Sequence, residues 1–339
     1  MEKTPKNTPP KQSTSSPKGK KLLDQYRDHI RIKQYSPRTE KTYIHWVREY
    51  ILFHNKRHPK EMGIPEVNQF ITHLVVNRKA SASTQNQAVS AILFLYRYVL
   101  NIQLQGDILE FIRPKKGKRI PTVLSKQEAK AIISKMTGPY KLMVQVMYGG
   151  GLRLMECLRL RVKDIDFENH RILVYDGKGG DDRVTMLPDS IIQPLKEQIQ
   201  YVKALHQKDL NDGYGAVSMP YALDKKFPTA SKELIWQYIF PASTLYTDPT
   251  TGHTSRHHIH ETALQRSIRD AANAIKLQKR VTPHTFRHSF ATHLLQAGYD
   301  IRTVQELLGH KDVKTTMIYT HVLNRGASAV RSPLDDTTP

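Results

Sequence analysis

The chain has 339 residues, enough to bury the cores of two ordinary domains, and carries 52 Lys plus Arg against 31 Asp plus Glu. A formal net charge of +21 exceeds what solubility requires and points to a polyanionic partner, nucleic acid first. The rival, a cationic membrane-surface protein, lacks its basic amphipathic helix or lipidation signal; neither a membrane-length apolar run nor a signal-peptide centre is present.

Residues 1–21 are rich in Pro, Lys, Ser and Thr and nearly free of apolar side chains, so a disordered basic tail is expected. From 22 to 102 the pattern is helical. Leu22, Leu23, Tyr26 and Ile30 share one face, and Ser36-Pro37 is a helix start with the serine capping. Tyr43, Trp46, Val47, Tyr50 and Ile51 follow at helical spacing, then Val67, Phe70, Ile71 and Leu74, then Ala88, Ile92, Leu95, Tyr96 and Val99. These stripes predict a small helical bundle. Residues 103–123 hold the cations Lys115, Lys116, Lys118 and Arg119 between Pro114 and Pro121, expected as an extended linker that tracks phosphates; the plainer alternative is a solvated loop.

The second domain is expected from residue 124 to 322, with Ser125 capping its first helix. Cys157, the single cysteine, excludes an intrachain disulfide and a multi-Cys zinc site, and among Leu154, Leu158 and Leu160 it reads as a small packed side chain. Period-two patterning predicts short strands at Asp164–Phe167, Arg171–Tyr175 and Arg183–Leu187, after which Pro188 leads into a helix reaching about His206. Residues 207–260 have no clear period. Helical patterning returns at Glu261 and continues toward the end. The fold class expected is thus mainly α with a small antiparallel β-sheet (α+β).

The chemistry concentrates late in the chain. Thr282-Pro283 predicts a helix start that places His284 and Arg287 at i and i+3 near a helix N-terminus, which favours an anion such as phosphate. Phe286, Phe290 and Leu294 would bury the neighbouring face. Gly298 stops that helix, Asp300 caps the next, and Gly309 stops that one and presents His310. The histidines 284, 288 and 293, and 257, 258 and 260, raise a zinc reading. No HExxH, Cys partner or closed set of four ligands supports it, so no metal is expected. Arg153 follows the run Gly149-Gly150-Gly151-Leu152, where backbone can approach a ligand, with Glu156 placed to orient it; Lys178 sits at the tip of a Gly-rich hairpin turn. Taken singly, Arg153 is a surface salt bridge, Lys178 an ordinary turn lysine and Tyr319 one more of 16 tyrosines.

Taken together, Gly-Leu-Arg153, Lys178 in GKGG, His284-Thr-Phe-Arg287-His288, Leu308-Gly309-His310 and Ile318-Tyr319-Thr320-His321 resemble the tyrosine recombinases, the phage-type integrases. Type IB topoisomerases share the chemistry, but Leu-Gly-His and the helical N-terminal half resemble recombinases more closely. The resemblance implies a SAM-like core-binding domain and a catalytic domain forming a C-shaped DNA clamp. It implies Tyr319 as nucleophile, Arg153 and Arg287 clamping the phosphate, His284 as base or orienting group, His310 as phosphate donor and Lys178 as general acid to the leaving 5′-oxygen. The residue types fit that chemistry: planar guanidiniums grip non-bridging oxygens, and a phenol with an unperturbed pKa of about 10 needs cations or a base beside it. A 3′-phosphotyrosyl link preserves bond energy, so no cofactor is required.

The irregular 207–260 segment, with Trp236, Pro249, His257 and His258, together with Tyr43-Ile-His-Trp46 and the run from Arg325 to Pro333, is similar to integron integrases within that family. Those recombine attC sites, folded single strands with extrahelical bases. By resemblance Trp236, His257 and His258 would hold one such base and Pro249 would pack on another; the alternative is a core tryptophan and a decorative histidine pair. Asp181 and Asp182 stand where relatives often carry another lysine, which weakens a second phosphate contact from the hairpin. The resemblance implies a bacterial cytoplasmic, nucleoid-associated enzyme that is a monomer free in solution and a homotetramer in the synaptic complex on DNA, with attC hairpins and attI duplexes as partners and no membrane. The tail 323–339 is expected to dock on a neighbouring subunit. Two readings compete: a Xer- or phage-type recombinase of duplex sites, and a catalytically idle DNA-binding protein on the same fold.

Overall fold

The structure is a computed structural model, and it describes residues 20–104, 121–175, 182–219, 223–249 and 252–320. Lys178, the linker cations Lys115, Lys116, Lys118 and Arg119, Asp181 and the tail 323–339 lie outside the described residues. The described residues fall into two compact units divided between Lys118 and Arg119. No helix among the described residues is long and apolar enough to cross a membrane.

The first unit is helical throughout: α1 (Leu22–Ile32), α2 (Pro37–Phe53), α3 (Ile64–Val76) and α4 (Ala82–Phe94), which runs on into a π-helical turn at Leu95–Val99. The starts are written in the sequence. Ser36 Oγ accepts the Thr39 N–H at 3.1 Å ahead of Pro37, and Ser81 Oγ accepts that of Thr84 at 3.3 Å. Gly63 donates its N–H to Glu66 Oε2 at 2.7 Å, the returning half of a capping box. The predicted stripes meet in one core in which Tyr26, Ile30, Val47, Tyr50, Phe70, Leu74 and Ile92 are almost fully buried. Its three buried phenols are satisfied: Tyr26 Oη donates to the Ala91 carbonyl at 2.8 Å, and Tyr50 and Tyr96 share a hydrogen bond at 3.0 Å.

The second unit opens with α5 (Lys126–Lys135), started by a full capping box between Ser125 and Glu128, then α6 (Gly138–Gly150) and α7 (Leu154–Arg159). Strands β1 (Ile165–Asp166), β2 (Arg171–Val174) and β3 (Arg183–Met186) form an antiparallel sheet in the order β1-β2-β3, with Ile172 opposite both Ile165 and Thr185. Helix α8 (Ile192–Asn211) runs a turn beyond the expected end, and a short α9 spans Leu223–Lys226.

In the segment without a visible period, β4 (Pro241–Thr247) and β5 (Thr254–His258) make a separate antiparallel hairpin. None of the seven residues of β4 is buried, so neither face imposes alternation on the sequence. The hairpin is tied down by charge instead. Arg256 grips Asp209 of α8 through two bonds of 2.6 and 2.7 Å, both side chains being nearly buried. The remaining helices are α10 (Glu261–Ala274), α11 (Pro283–Gln296), α12 (Ile301–Leu308) and α13 (Val313–Met317). Helix α11 is the centre of the unit. It buries Phe286, Arg287, Ser289, Phe290, Ala291 and Thr292, so more than one face is enclosed.

Candidate active site

Arg153, Arg183, Arg287, His288, His310 and Tyr319 converge where the ends of α6, α11, α12 and β3 meet. The glycine run allows the approach. Gly151, the left-handed C-cap of α6 (φ +66°), passes so close to Phe290 that an added Cβ would lie 2.5 Å from its ring. Arg153 follows as N-cap of α7, its N–H donating to Glu156 Oε2 at 2.8 Å and its guanidinium to Glu156 Oε1 at 2.5 Å and the Gly309 carbonyl at 3.2 Å.

Glu156 joins the cluster. Besides Arg153 it receives both Nη atoms of Arg183, at 2.9 and 2.6 Å, and stands 3.8 Å from Arg287. Burial opposes its ionisation, but the hydrogen bonds and charges of Arg183 and Arg153 outweigh this and hold the carboxyl down at about 2. Three guanidiniums share one carboxylate, leaving an excess of positive charge beside the Gly309–His310 turn. Arg287, only 3% exposed, donates to the Gly151 carbonyl at 2.5 Å and the Leu308 carbonyl at 2.6 Å, and lies 3.1 Å from His310 Nε2. Burial and the Arg153 charge pull its pKa down to about 9, which still leaves it cationic at neutral pH.

His310 is placed as its glycine predicts. Gly309 caps α12 in the left-handed region (φ +61°), and the Arg183 stem fills the space where a Cβ would stand. Its Nδ1 pairs with Thr316 Oγ1 at 2.9 Å, while Nε2 faces Arg287. Burial and the charges of Arg287, Arg153 and Arg183 lower its pKa to about 4, so the ring is neutral and the pattern assigns the proton to Nδ1.

Tyr319 is 1% exposed and sits in a turn beyond α13, which ends at Met317. Asp312 caps α13 by accepting the Lys314 N–H at 2.8 Å, and the Tyr319 N–H closes a tight turn onto the Thr316 carbonyl at 3.1 Å. The phenol bonds to His288 Nδ1 at 3.0 Å, with the His310 ring stacked 6.3 Å away. Burial raises the Tyr319 pKa, against the pull of Arg287 and Arg153. His284, one turn before His288, is exposed, whereas Arg287 is buried, so the expected shared face is divided by depth. Sequence reasoning left His288 and Arg183 without roles. Arg183 was findable: it alternates with the buried Thr185 and Leu187 and so shares their inward face.

A second cluster lies on the added segment. Tyr238 has His257 at 5.6 Å and His258 at 5.3 Å between ring centroids, and the two imidazoles lie 4.3 Å apart. Arg161 stacks over Tyr238 at 4.6 Å and Trp236 at 5.6 Å, while Lys163 sits over Tyr175 at 3.8 Å and Trp236 at 4.8 Å. Trp236 is half-buried, His257 is exposed, and burial lowers the His258 pKa to about 4. Pro249, at the hairpin turn, is exposed.

Arginines, imidazoles and a phenol gathered at helix ends, in a chain that also carries a separate helical unit, define the class of enzymes that cut and rejoin DNA through tyrosine. Residues 122–325 match the Phage integrase family, and residues 22–106 match the phage integrase N-terminal SAM-like domain. The chain belongs to that family, the tyrosine site-specific recombinases. An integrase/recombinase of Escherichia coli is 47% identical over 319 residues, covering 94% of each chain. The tyrosine recombinase XerD of Agrobacterium fabrum is 32% identical over 279 residues, 78% of this chain and 77% of the relative. The fold is shared with XerH bound to its palindromic difH substrate in a post-cleavage complex (TM-score 0.59, 21% identity, 90% of this chain and 82% of that one). It is shared too with the Tn1549 transposon integrase in complex with transposon right end DNA (TM-score 0.61, 16% identity, 88% of this chain and 94% of that one).

Proposed function

We propose that this recombinase acts as an integron-type integrase, moving cassettes between folded attC strands and attI duplexes. In this reading Tyr319 attacks the scissile phosphate to form a 3′-phosphotyrosyl link. Arg153 and Arg287 hold the non-bridging oxygens, as guanidiniums already fixed by Glu156 and by the Gly151 and Leu308 carbonyls can do without reorganising during the reaction. His310 adds a donor once the phosphate displaces Arg287 from Nε2 and the ring proton moves there, Thr316 Oγ1 then donating to Nδ1, and His284, in the first turn of α11, adds another. Lys178 protonates the leaving 5′-oxygen. The cycle needs neither metal nor ATP, so a chelator is expected to leave cleavage unchanged.

The observation that favours attC is the cluster of Trp236, Tyr238, His257 and His258 backed by Arg161 and Lys163. Ring faces beside fixed cations suit a base outside a hairpin, which gains about 1–3 kcal/mol by stacking. Linker cations tracking phosphates, a synaptic tetramer and docking by the 323–339 tail belong to the same reading. A duplex-specific recombinase is the second reading, favoured by the relative named XerD.

Labelled attC bottom strand, its complementary top strand and an attI duplex separate the two. Covalent adducts on denaturing gels are expected with the folded bottom strand and the attI duplex, and the bottom-strand adduct alone should weaken in Trp236→Ala and His257→Ala. Adducts confined to duplexes would reject the attC reading and keep the recombinase.

A further inference from the structure

The phenol of Tyr319 is enclosed, and among the described residues its hydroxyl meets His288 Nδ1 at 3.0 Å. Helix geometry explains why. His284 and His288 stand one turn apart on α11, rings 6.4 Å apart; the His284 side chain is exposed, while His288 lies against the turn that carries Tyr319. We propose that His288 is a further catalytic residue, the general base that takes the Tyr319 proton as the phenolic oxygen attacks phosphorus. The inference rests on the reading of Tyr319 as nucleophile.

The step balances. The Tyr319 O–H bond breaks and its proton passes to His288 Nδ1. The Oη–P bond forms, the P–O5′ bond breaks, and the leaving oxygen is protonated by the general acid. In rejoining, the imidazolium returns its proton to the departing phenolate. The groups facing His288 are His284 and Arg287 from α11, His310 from the turn after α12 and Tyr319 from the turn after α13. Burial first, then the positive fields of His284 and Arg287, lower the His288 pKa to about 4, so the ring is neutral and its Nδ1 lone pair accepts the phenol proton. A phosphodiester seated on Arg287 cancels part of that field. The imidazole therefore becomes a stronger base when a target phosphate is bound, which keeps the nucleophile protonated off DNA.

The test measures adduct formation by the full-length protein on a suicide substrate whose released 5′ strand diffuses away. His288→Asn retains a hydrogen-bonding group near the phenol but no base. Its cleavage rate should fall about 10²-fold or more near pH 7 and climb steadily toward about pH 10, as hydroxide replaces the base, while DNA affinity stays unchanged. His288→Ala should regain rate with added imidazole. A loss that pH and imidazole both leave unchanged, or an Asn variant within about threefold of wild type at neutral pH, overturns the proposal. If neither variant melts cooperatively, ¹⁵N-histidine spectra of the wild type and Tyr319→Phe decide. A His288 Nδ1 resonance that moves between them is expected, and one that stays fixed overturns the contact. Absence of any Tyr319-dependent adduct in the wild type would remove the nucleophile itself; a normal adduct with an unimpaired His288→Asn would remove only the base.

Discussion

Glu156 holds Arg153 and Arg183 directly and stands within ion-pair range of Arg287, yet it need never touch DNA. Its folded pKa, about 2, lies below the ordinary carboxyl value of 4.5. The stability linked to it is therefore fully present above the unfolded value and lost as pH falls through the folded one. Between about pH 5 and about pH 2, urea melts should show the wild type losing about 3 kcal/mol more than Glu156→Gln. At neutral pH the same substitution leaves guanidiniums buried without their counter-charge, and should cost about 3–5 kcal/mol. Legibility at this scale was uneven. Arg153, Arg287, His310 and Tyr319 stood in motifs and the structure gathers them. His288 stood in the same motif, but its use depends on which helical turn faces the chain returning from α13, a tertiary fact with no local signature.

At the scale of elements, two left-handed glycines bring the site together. Gly151 lets the end of α6 meet Phe290, and Gly309 turns the chain beside the Arg183 stem. Gly151→Ala combines left-handed strain of about 1–2 kcal/mol with overpacking of about 1–3 kcal/mol, and thermal melts should register the loss. Both glycines were readable because helix stops and close approaches are local. The β4–β5 hairpin was not, since β4 buries none of its residues and the anchor, Arg256 on Asp209, joins residues 47 apart in sequence. Breaking that pair by Arg256→Ala should loosen the hairpin, and limited proteolysis should then cut within 241–258 sooner than in the wild type. If cutting is unchanged, the hairpin is held by something other than this ion pair.

For the whole molecule, composition alone announced the partner. A net charge of +21 on a chain of this family implies affinity dominated by phosphate neutralisation. Duplex affinity should fall by about 10³-fold or more between about 50 and 200 mM salt, as read by fluorescence anisotropy, and a flat dependence would contradict backbone-driven binding. The mainly helical architecture with a small sheet was legible from periodicity, because each apolar stripe meets a core in its own unit. The central claim is that Tyr319 becomes covalently joined to DNA. Its most direct test is mass spectrometry of the protease-digested adduct formed on a suicide substrate. The peptide containing Tyr319 is expected to carry a 3′-phosphonucleotide on that residue, and Tyr319→Phe to yield no adduct. A nucleotide on any other residue, or an adduct that survives Tyr319→Phe, would contradict the account.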